Sequence, residues 1–336
     1  MFKLNIHYTC SQIFNHKNMK KLLVIIFTSV LFNPFYSQSN QDSIKHWKSS
    51  GFIGLNYSQT ALNNWQGGGQ NNLAINSIFN YQLDYTKGNI NWTNKLDAQY
   101  GFNRPGSDKL LKKNLDQLLF VSKFNIQSKI KNLYYTGTMD FRTQFAPGYV
   151  YKGDSIVGRA TSDFFSPAYI QLAIGMDHKP LNYLSISLLP IAGKTTIVNR
   201  QYLADMGAFG VEKAIYDPNT GQLIKHGKKI RFEYGGRMTI RFKKDITKTV
   251  SWDSYLDLFS NYFHNPQNID VVFNNLITFK VSKIFTISIV SQMLYDDDVI
   301  IVRDWNRDGK FDHPNDINGP RLQMLNTMGI GLGYKF

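Results

Sequence analysis

Residues 89–102 read "NINWTNKLDAQYGF", and two different surfaces run through those letters. In an extended chain Ile90, Trp92, Leu96, Ala98, Tyr100 and Phe102 share one face, while Asn91, Thr93, Lys95, Asp97, Gln99 and Gly101 share the other. Asn94 is the only polar residue on the apolar side. A period of two is the signature of a strand with two unlike faces. The same alternation fills 133–145, "LYYTGTMDFRTQF", and 230–242, "IRFEYGGRMTIRF". Length separates the folds that alternate in this way. Strands of a soluble sandwich usually hold about five or six residues, and these stretches run roughly twice as long, with full charges repeated on the polar face. A membrane barrel strand needs about 9 to 11 residues to cross at a tilt, with one face to lipid and one to the lumen. The sequence therefore predicts an all-β fold, a transmembrane antiparallel up-and-down β-barrel.

The same test along the chain places strands at 51–58, 72–85, 89–102, 116–127, 133–145, 168–177, 183–196, 230–242, 250–262, 269–281, 285–295 and 321–336, about 12 in all. An even number is what single-chain bacterial barrels require. Connections after the even strands are short, such as "TKGN" (86–89) and "SKI" (282–284), whereas 146–167, 197–229 and 296–320 are long. Short periplasmic turns alternating with long outer loops put both termini in the periplasm.

The N-terminal part reads differently. Met19-Lys20-Lys21, an apolar run from Leu22 to Phe32 and small residues near Ser37 form the pattern of a secretory signal peptide. Residues 1–37 are thus expected to be an N-terminal extension plus a removed signal, with Met19 as the expected initiator. Residues 38–50 are expected to be a short periplasmic segment and 51–336 the barrel. The single cysteine, Cys10, falls in the removed part, which excludes disulfides, thiolate metal sites and cysteine nucleophiles from the mature chain. Loss of Lys3, Lys17, Lys20 and Lys21 takes the formal charge from +14 to +10. A basic exported chain suits anionic headgroups or solutes, and no nucleic-acid module is present. The expected partners are outer-membrane lipid and lipopolysaccharide, the barrel assembly machinery during biogenesis, small solutes and a further membrane protein.

The last predicted strand, "RLQMLNTMGIGLGYKF", puts Leu322, Met324, Met328, Ile330, Leu332, Tyr334 and Phe336 on one face. Its terminal rings suit the periplasmic interface. Together with "GLNYSQTALNNWQGGGQNN" near the start, "YLADMGAFGVE" (202–212), "YDDDV" (295–299), "NGPRLQ" (318–323) and "GIGLGYKF" (329–336), the chain resembles an uncharacterised outer-membrane family of the Bacteroidota, the domain-of-unknown-function family numbered three thousand and seventy-eight. The resemblance would cover nearly all of the mature chain. It implies an outer-membrane location and assigns no activity.

Four features bear on chemistry. In "DWNRDGKFD", Asp304, Asn306, Asp308, Gly309 and Asp312 match the first, third, fifth, sixth and ninth positions of a calcium loop, with Lys310 offering a carbonyl. Asn315 stands where the bidentate glutamate belongs, and Asp316 follows. The alternatives are a structural calcium in 304–315 and a solvated acidic turn; no other cofactor is required. Asp296, Asp297 and Asp298 read as a solvated acidic rim that could join that cation site. The lumen face carries Lys95, Asp97, Lys123, Asp140, Arg142, Arg231, Glu233, Arg237, Arg241, Asp253, Asp257 and Lys280. Of these, Arg231, Arg237, Arg241, Arg142, Lys95, Asp97 and Glu233 are the candidates for a charged constriction that selects solutes, or for pairs that fill the interior. Arg231, Arg237 and Arg241 would line one wall, favouring anionic solutes. Lastly, Trp65 in "NNWQGGGQNN" (63–72) and Phe209 in 202–212 are candidate ligand contacts or plugs. For Trp65 a compact bend is the competing reading. For Phe209 it is a surface that docks another protein.

His178, His226, His264 and His313 share no strand with a serine and a carboxylate in register, and no nucleophile elbow is present. The sequence thus predicts a porin-like channel for small solutes. The alternative is an accessory barrel of a surface or secretion complex with an occluded lumen. A lipid-modifying enzyme comes third, and no enzymatic activity is expected.

Overall fold

The computed structural model describes residues 46–60, 72–106, 108–282, 284–303 and 317–336. The expected signal peptide, Trp65 and the calcium-loop residues Asp304, Asn306, Asp308 and Asp312 lie outside the described residues.

Twelve strands close into one antiparallel barrel. They are β1 (Trp47–Thr60), β2 (Asn72–Lys87), β3 (Ile90–Pro105), β4 (Lys112–Gln127), β5 (Leu133–Thr143) and β6 (Ala168–Leu181), followed by β7 (Leu184–Ile197), β8 (Ile230–Asp245), β9 (Val250–Asn261), β10 (Ile269–Lys280), β11 (Phe285–Tyr295) and β12 (Gln323–Lys335). Each predicted strand is found, and each pairs with its neighbour in sequence. Two begin earlier than alternation alone indicates. β1 starts at Trp47, within the segment expected to be a periplasmic tail, and β4 starts at Lys112. "WKSSG" and "KKN" do not alternate, so their strand character comes from their partners. Trp47 sits opposite Tyr85, with ring centroids 4.8 Å apart, and 5.9 Å from Trp92. The long-loop rim holds further local structure. Short strands pair there, 148–152 with 155–162, 215–216 with 223–225 and 301–303 with 317–319, beside the short helix α1 (Gln201–Asp205).

Polarity is inverted relative to a soluble protein. Phe124, Ile126, Tyr135, Leu172, Ile174, Leu188, Ile191, Trp252, Met328 and Ile330 are exposed, while Asp97, Asp140, Asp177, Lys194, Glu233 and Arg237 are buried. In lipid the backbone must satisfy itself, and a closed barrel leaves no edge. Aromatic clusters mark the two rims. Tyr183, Phe242 and Trp252 pack together at the short-turn rim, with Tyr334 stacked on Phe336. Tyr234, Tyr262 and Phe263 pack together at the long-loop rim.

Closure pairs β1 with β12 from Phe52↔Lys335 to Asn56↔Gly331. The approach is close on the lumen side. A Cβ on Gly331 would lie 1.9 Å from Asn56 Oδ1 and 2.9 Å from the Leu55 carbonyl oxygen, so no larger residue fits without moving backbone. Gly331→Val is expected to destabilise the barrel by about 1–3 kcal/mol, the range for overpacking. Gly137→Ala, where a Cβ meets nothing within 4 Å, is expected to leave stability unchanged. The midpoint of the heat-dependent mobility shift on gels separates the two variants.

Candidate functional site in the barrel lumen

Register fixes which side chains face inward, because Cα partners share a face. From β5 to β10 the inward set is rich in charge, and it is organised in layers.

The central layer is built on Arg237 of β8, whose side chain is 2% exposed. Its guanidinium takes both oxygens of Asp257 on β9, Nε to Oδ1 and Nη2 to Oδ2 each at 2.8 Å. Nη2 also donates to the Tyr255 hydroxyl at 2.9 Å, and Nη1 reaches Thr138 at 3.2 Å and pairs with Asp140. Thr138 and Asp140 are on β5, so this one side chain spans the inner surface of β6 and β7. Small residues there make room: Ala173 and Ala192 are buried together with Leu189 and Phe259.

Nearer the long loops, Lys194 of β7 bonds Asp270 of β10 at 2.5 Å and Asp296 beyond β11 at 3.1 Å, with Glu233 of β8 at 3.6 Å. Arg231 pairs with Glu233 at 2.9 Å and with Asp298. Asn268 donates to Asp297 at 2.7 Å. The acidic triplet is therefore engaged side chain by side chain rather than merely solvated. Carboxylate oxygens of Asp270, Asp296 and Asp297 lie within 4.8 Å of one another, but the Lys194 ammonium already sits against two of these groups.

Toward the short turns, Lys123 of β4 meets Asp177 of β6 at 2.9 Å, and Asp177 also accepts from Ser185 at 2.6 Å and Ser187 at 2.9 Å. Arg241 reaches Asp253 at 3.0 Å. On β3, Lys95 and Asp97 pair at 2.8 Å, and Asn80 donates to Asp97 at 2.6 Å. Arg142 has no carboxylate in ion-pair contact among the described residues; its guanidinium lies 4.7 Å from the centre of the Tyr169 ring.

The arginine wall read from the sequence exists on β8, and each of its three members has a carboxylate partner. It is not a stripe of uncompensated positive charge. One contact crosses almost the full lumen: Gln292 Nε2 of β11 lies 3.4 Å from Gln117 Oε1 of β4. On the other side of that crossing are β12, β1, β2 and β3, where Lys95 with Asp97 is the one ion pair among the described residues. There the Phe52 and Asn56 side chains lie over Gly333 and Gly331, in space that a Cβ on either glycine would fill.

Lys194, Asp177 and Asp270 escaped the sequence reading. For Lys194 the reason is a bulge. Ile174 pairs with Ile191 and Met176 with Leu188, leaving two residues of β7, Leu189 and Pro190, opposite Gly175 alone. Proline has no N–H for the ladder, and the extra residue swaps the faces beyond it. Ser185 and Ser187 face in before the bulge, and Lys194 and Thr196 face in after it.

Phe209 packs with Val198, Leu203, Ala204 and Val211 in a small apolar cluster of its own. The segment 202–212 also touches the mouth, where the Gly210 carbonyl accepts from Arg231 Nη1 at 3.1 Å. Gly210 is required there: its φ is +80° and a Cβ would lie 2.5 Å from that nitrogen. Asp205 at the end of α1 accepts from Gln201 Nε2 and the Gly227 N–H, each at 2.8 Å, and its carboxylate lies 3.2 Å from His226 Nδ1. These contacts, the Gln201 amide first, hold the Asp205 carboxyl below its usual range.

A closed twelve-stranded membrane barrel with an ion-paired lumen is the class these features define. Residues 57–149 match the model of the family described as "Protein of unknown function (DUF3078)". The match runs from β1 to just beyond β5, so 202–212 and the C-terminal stretches that also suggested the family lie outside it. Comparison with curated proteins gives no match. Three solved structures are similar at low identity. The COG4313 outer membrane channel from Pseudomonas putida F1 is 10% identical over 88% of this chain and 100% of its own, with a TM-score of 0.37. The TodX monoaromatic hydrocarbon channel is 6% identical over 86% of this chain and 88% of its own, with a TM-score of 0.26. Salmonella typhi OmpF is 8% identical over 86% of this chain and 97% of its own, with a TM-score of 0.24.

Two outcomes are expected from this geometry. Arg237→Met leaves Asp140 and Asp257 buried without their cation and should cost about 3–5 kcal/mol, while adding Asp140→Asn and Asp257→Asn should recover most of that loss. Urea unfolding in micelles measures both. The second outcome concerns pH. Because the Asp205 carboxyl is lowered in the folded loop, its contribution is present above the unfolded value and is lost only as pH falls through the folded one. Protection of 198–229 from protease should thus be full at neutral pH and decline as pH falls from the ordinary carboxylate value toward the lowered one. In Asp205→Asn that protection should already be reduced at neutral pH.

Proposed function

We propose that this chain is an outer-membrane channel for small solutes. The observation that carries the reading is the one-sided distribution of charge inside a closed barrel. The ion-paired layers on β5–β10 form a self-neutralised wall. β11, β12 and β1 present Thr286, Ser288, Gln292, Gly331, Gly333, Ser50 and Asn56, with no charged side chain among them away from the short-turn rim. A path beside that wall meets hydrogen-bonding groups and charges that are mostly ion-paired, with Arg142 held against the Tyr169 ring. Pores select by the fixed charge they expose, so a paired wall gives weak charge selectivity. The anionic preference suggested by three arginines alone is correspondingly small.

A second reading is favoured by the crossing contacts. Gln117 with Gln292, and Arg237 with Asp140, tie opposite or distant strands across the lumen. A lumen held shut in this way would suit an accessory barrel of a surface or secretion complex.

Planar-bilayer recording of the purified chain decides between them. The channel reading expects stepwise conductance with near-equal permeability to small anions and cations. It also expects a larger step in the double variant Gln117→Ala and Gln292→Ala, where the crossing is removed. A folded barrel that stays silent in both forms would leave the accessory role.

A further inference from the structure

β8 outruns β9 at the long-loop rim. Their ladder ends at Gly235↔Asn261, whereas β8 continues against β7 to Ile230. The Tyr262 N–H donates to the Tyr234 carbonyl at 3.0 Å, and the chain then turns through Asn265, at φ +47°, toward β10. Residues 230–233 therefore have a neighbouring strand on one side and a notch on the other, which Tyr234 closes at its lower end.

A cleft of about 790 Å³ occupies that notch, within the size range of small-molecule sites. Its lining shows where it leads. A cavity confined to one surface of a sheet touches alternate residues of a strand, because successive side chains point to opposite faces. This cleft touches five in a row, Ile230, Arg231, Phe232, Glu233 and Tyr234. It thus passes through the line of the wall. On the outside Phe232 and Phe263 are 68% and 83% exposed and continue the lipid-facing band. On the inside stand Arg231, Glu233, Asn261 and Asp298. The charged side chains in the lining are largely spoken for: Arg231 by Glu233 and Asp298, Lys228 by Glu212. Two cations against three carboxylates do not make an anion site. The combination of an apolar outer half and a polar, self-neutralised inner half fits one kind of occupant.

We propose that the notch between β8 and β9 is a lateral portal. Through it a small amphiphile, with an apolar body and an uncharged hydrogen-bonding head, passes between the outer leaflet and the barrel mouth. The body lies against Ile230, Phe232 and Phe263, and the head meets Asn261 and the ion-paired groups within. The portal rests on the channel reading only for its destination, and access can be measured apart from conduction.

The test uses the full chain reconstituted in vesicles, with Cys10, its only cysteine, changed to serine. Asn261→Cys places a thiol on the lumen face at the cleft, and Gln117→Cys places one on the lumen face away from it. Asn261 belongs to no ion pair; it makes a 3.5 Å contact to Glu233 and accepts from the Phe263 N–H at 3.1 Å, so cysteine there removes little. Each protein is treated with pyrene maleimide dissolved in the bilayer and, separately, with a sulfonated maleimide in water. Thiol reactivity follows access, so the lipid-borne reagent is expected to label Asn261→Cys about tenfold faster than Gln117→Cys. Adding Phe263→Ala, which trims the outer lip, is expected to raise that rate further. Equal rates at the two positions, or labelling of Asn261→Cys from water alone, would overturn the portal. Conductance of the same preparations is read independently. A silent barrel with fast lipid-side labelling refutes the channel and keeps the portal, and a conducting barrel with equal rates does the reverse.

Discussion

A charge facing the inside of a narrow barrel has little bulk water to solvate it, and this constraint governs the interior. Burial of an unpaired ion costs several kcal/mol, so each cation placed inward needs an anion within reach of its side chain. Reach is the decisive quantity. Arg237, Lys194 and Lys123 find partners on strands that are not their neighbours, and those pairs brace the ring as well as neutralise it. The guanidinium of Arg237 suits the task because it forms two parallel bonds to Asp257 while further N–H groups turn to β5. The small residues of β6 and β7 beneath it follow from the same requirement.

The outer surface obeys the opposite constraint with the same economy. Lipid accepts any apolar side chain, so residues there are fixed loosely in identity and tightly in class. Aromatic rings collect where the strands meet the two interfaces. The long-loop rim departs from this simplicity where β9 stops short of β8, and there the apolar exterior and the polar interior come within one cleft of each other.

The barrel is legible in the sequence because alternation sustained over the lengths of β3, β5 and β8 fits few folds besides a membrane barrel. All twelve strands follow from it. Legibility fails where identity depends on a partner. The start of β1 reads as a tail until Tyr85 and Trp92 are placed beside Trp47. The inward charges of β3, β5, β8 and β9 follow from periodicity, yet nothing in the sequence joins Arg237 to Asp140. Spacing along the chain carries no information about reach across a lumen. The segment around Phe209 is too apolar for a free loop. Its partners, Leu203 and Val211, form a cluster local to the loop, which composition alone does not distinguish from a plug.

The bulge at Leu189 and Pro190 has a meaning beyond its local geometry. A strand has only two settings, and this extra residue makes β7 use one setting below and the other above. The letters of β7 therefore cannot be translated into sides with a single rule, much as a text with one inserted letter must be read in two frames. If the strand kept every residue but ran through 189 and 190 without the bulge, Lys194 would face hydrocarbon and Ile191 would face the ions. The orientation of the whole upper wall of β7 is thus stored in one proline-marked count, independently of any side chain that the wall displays.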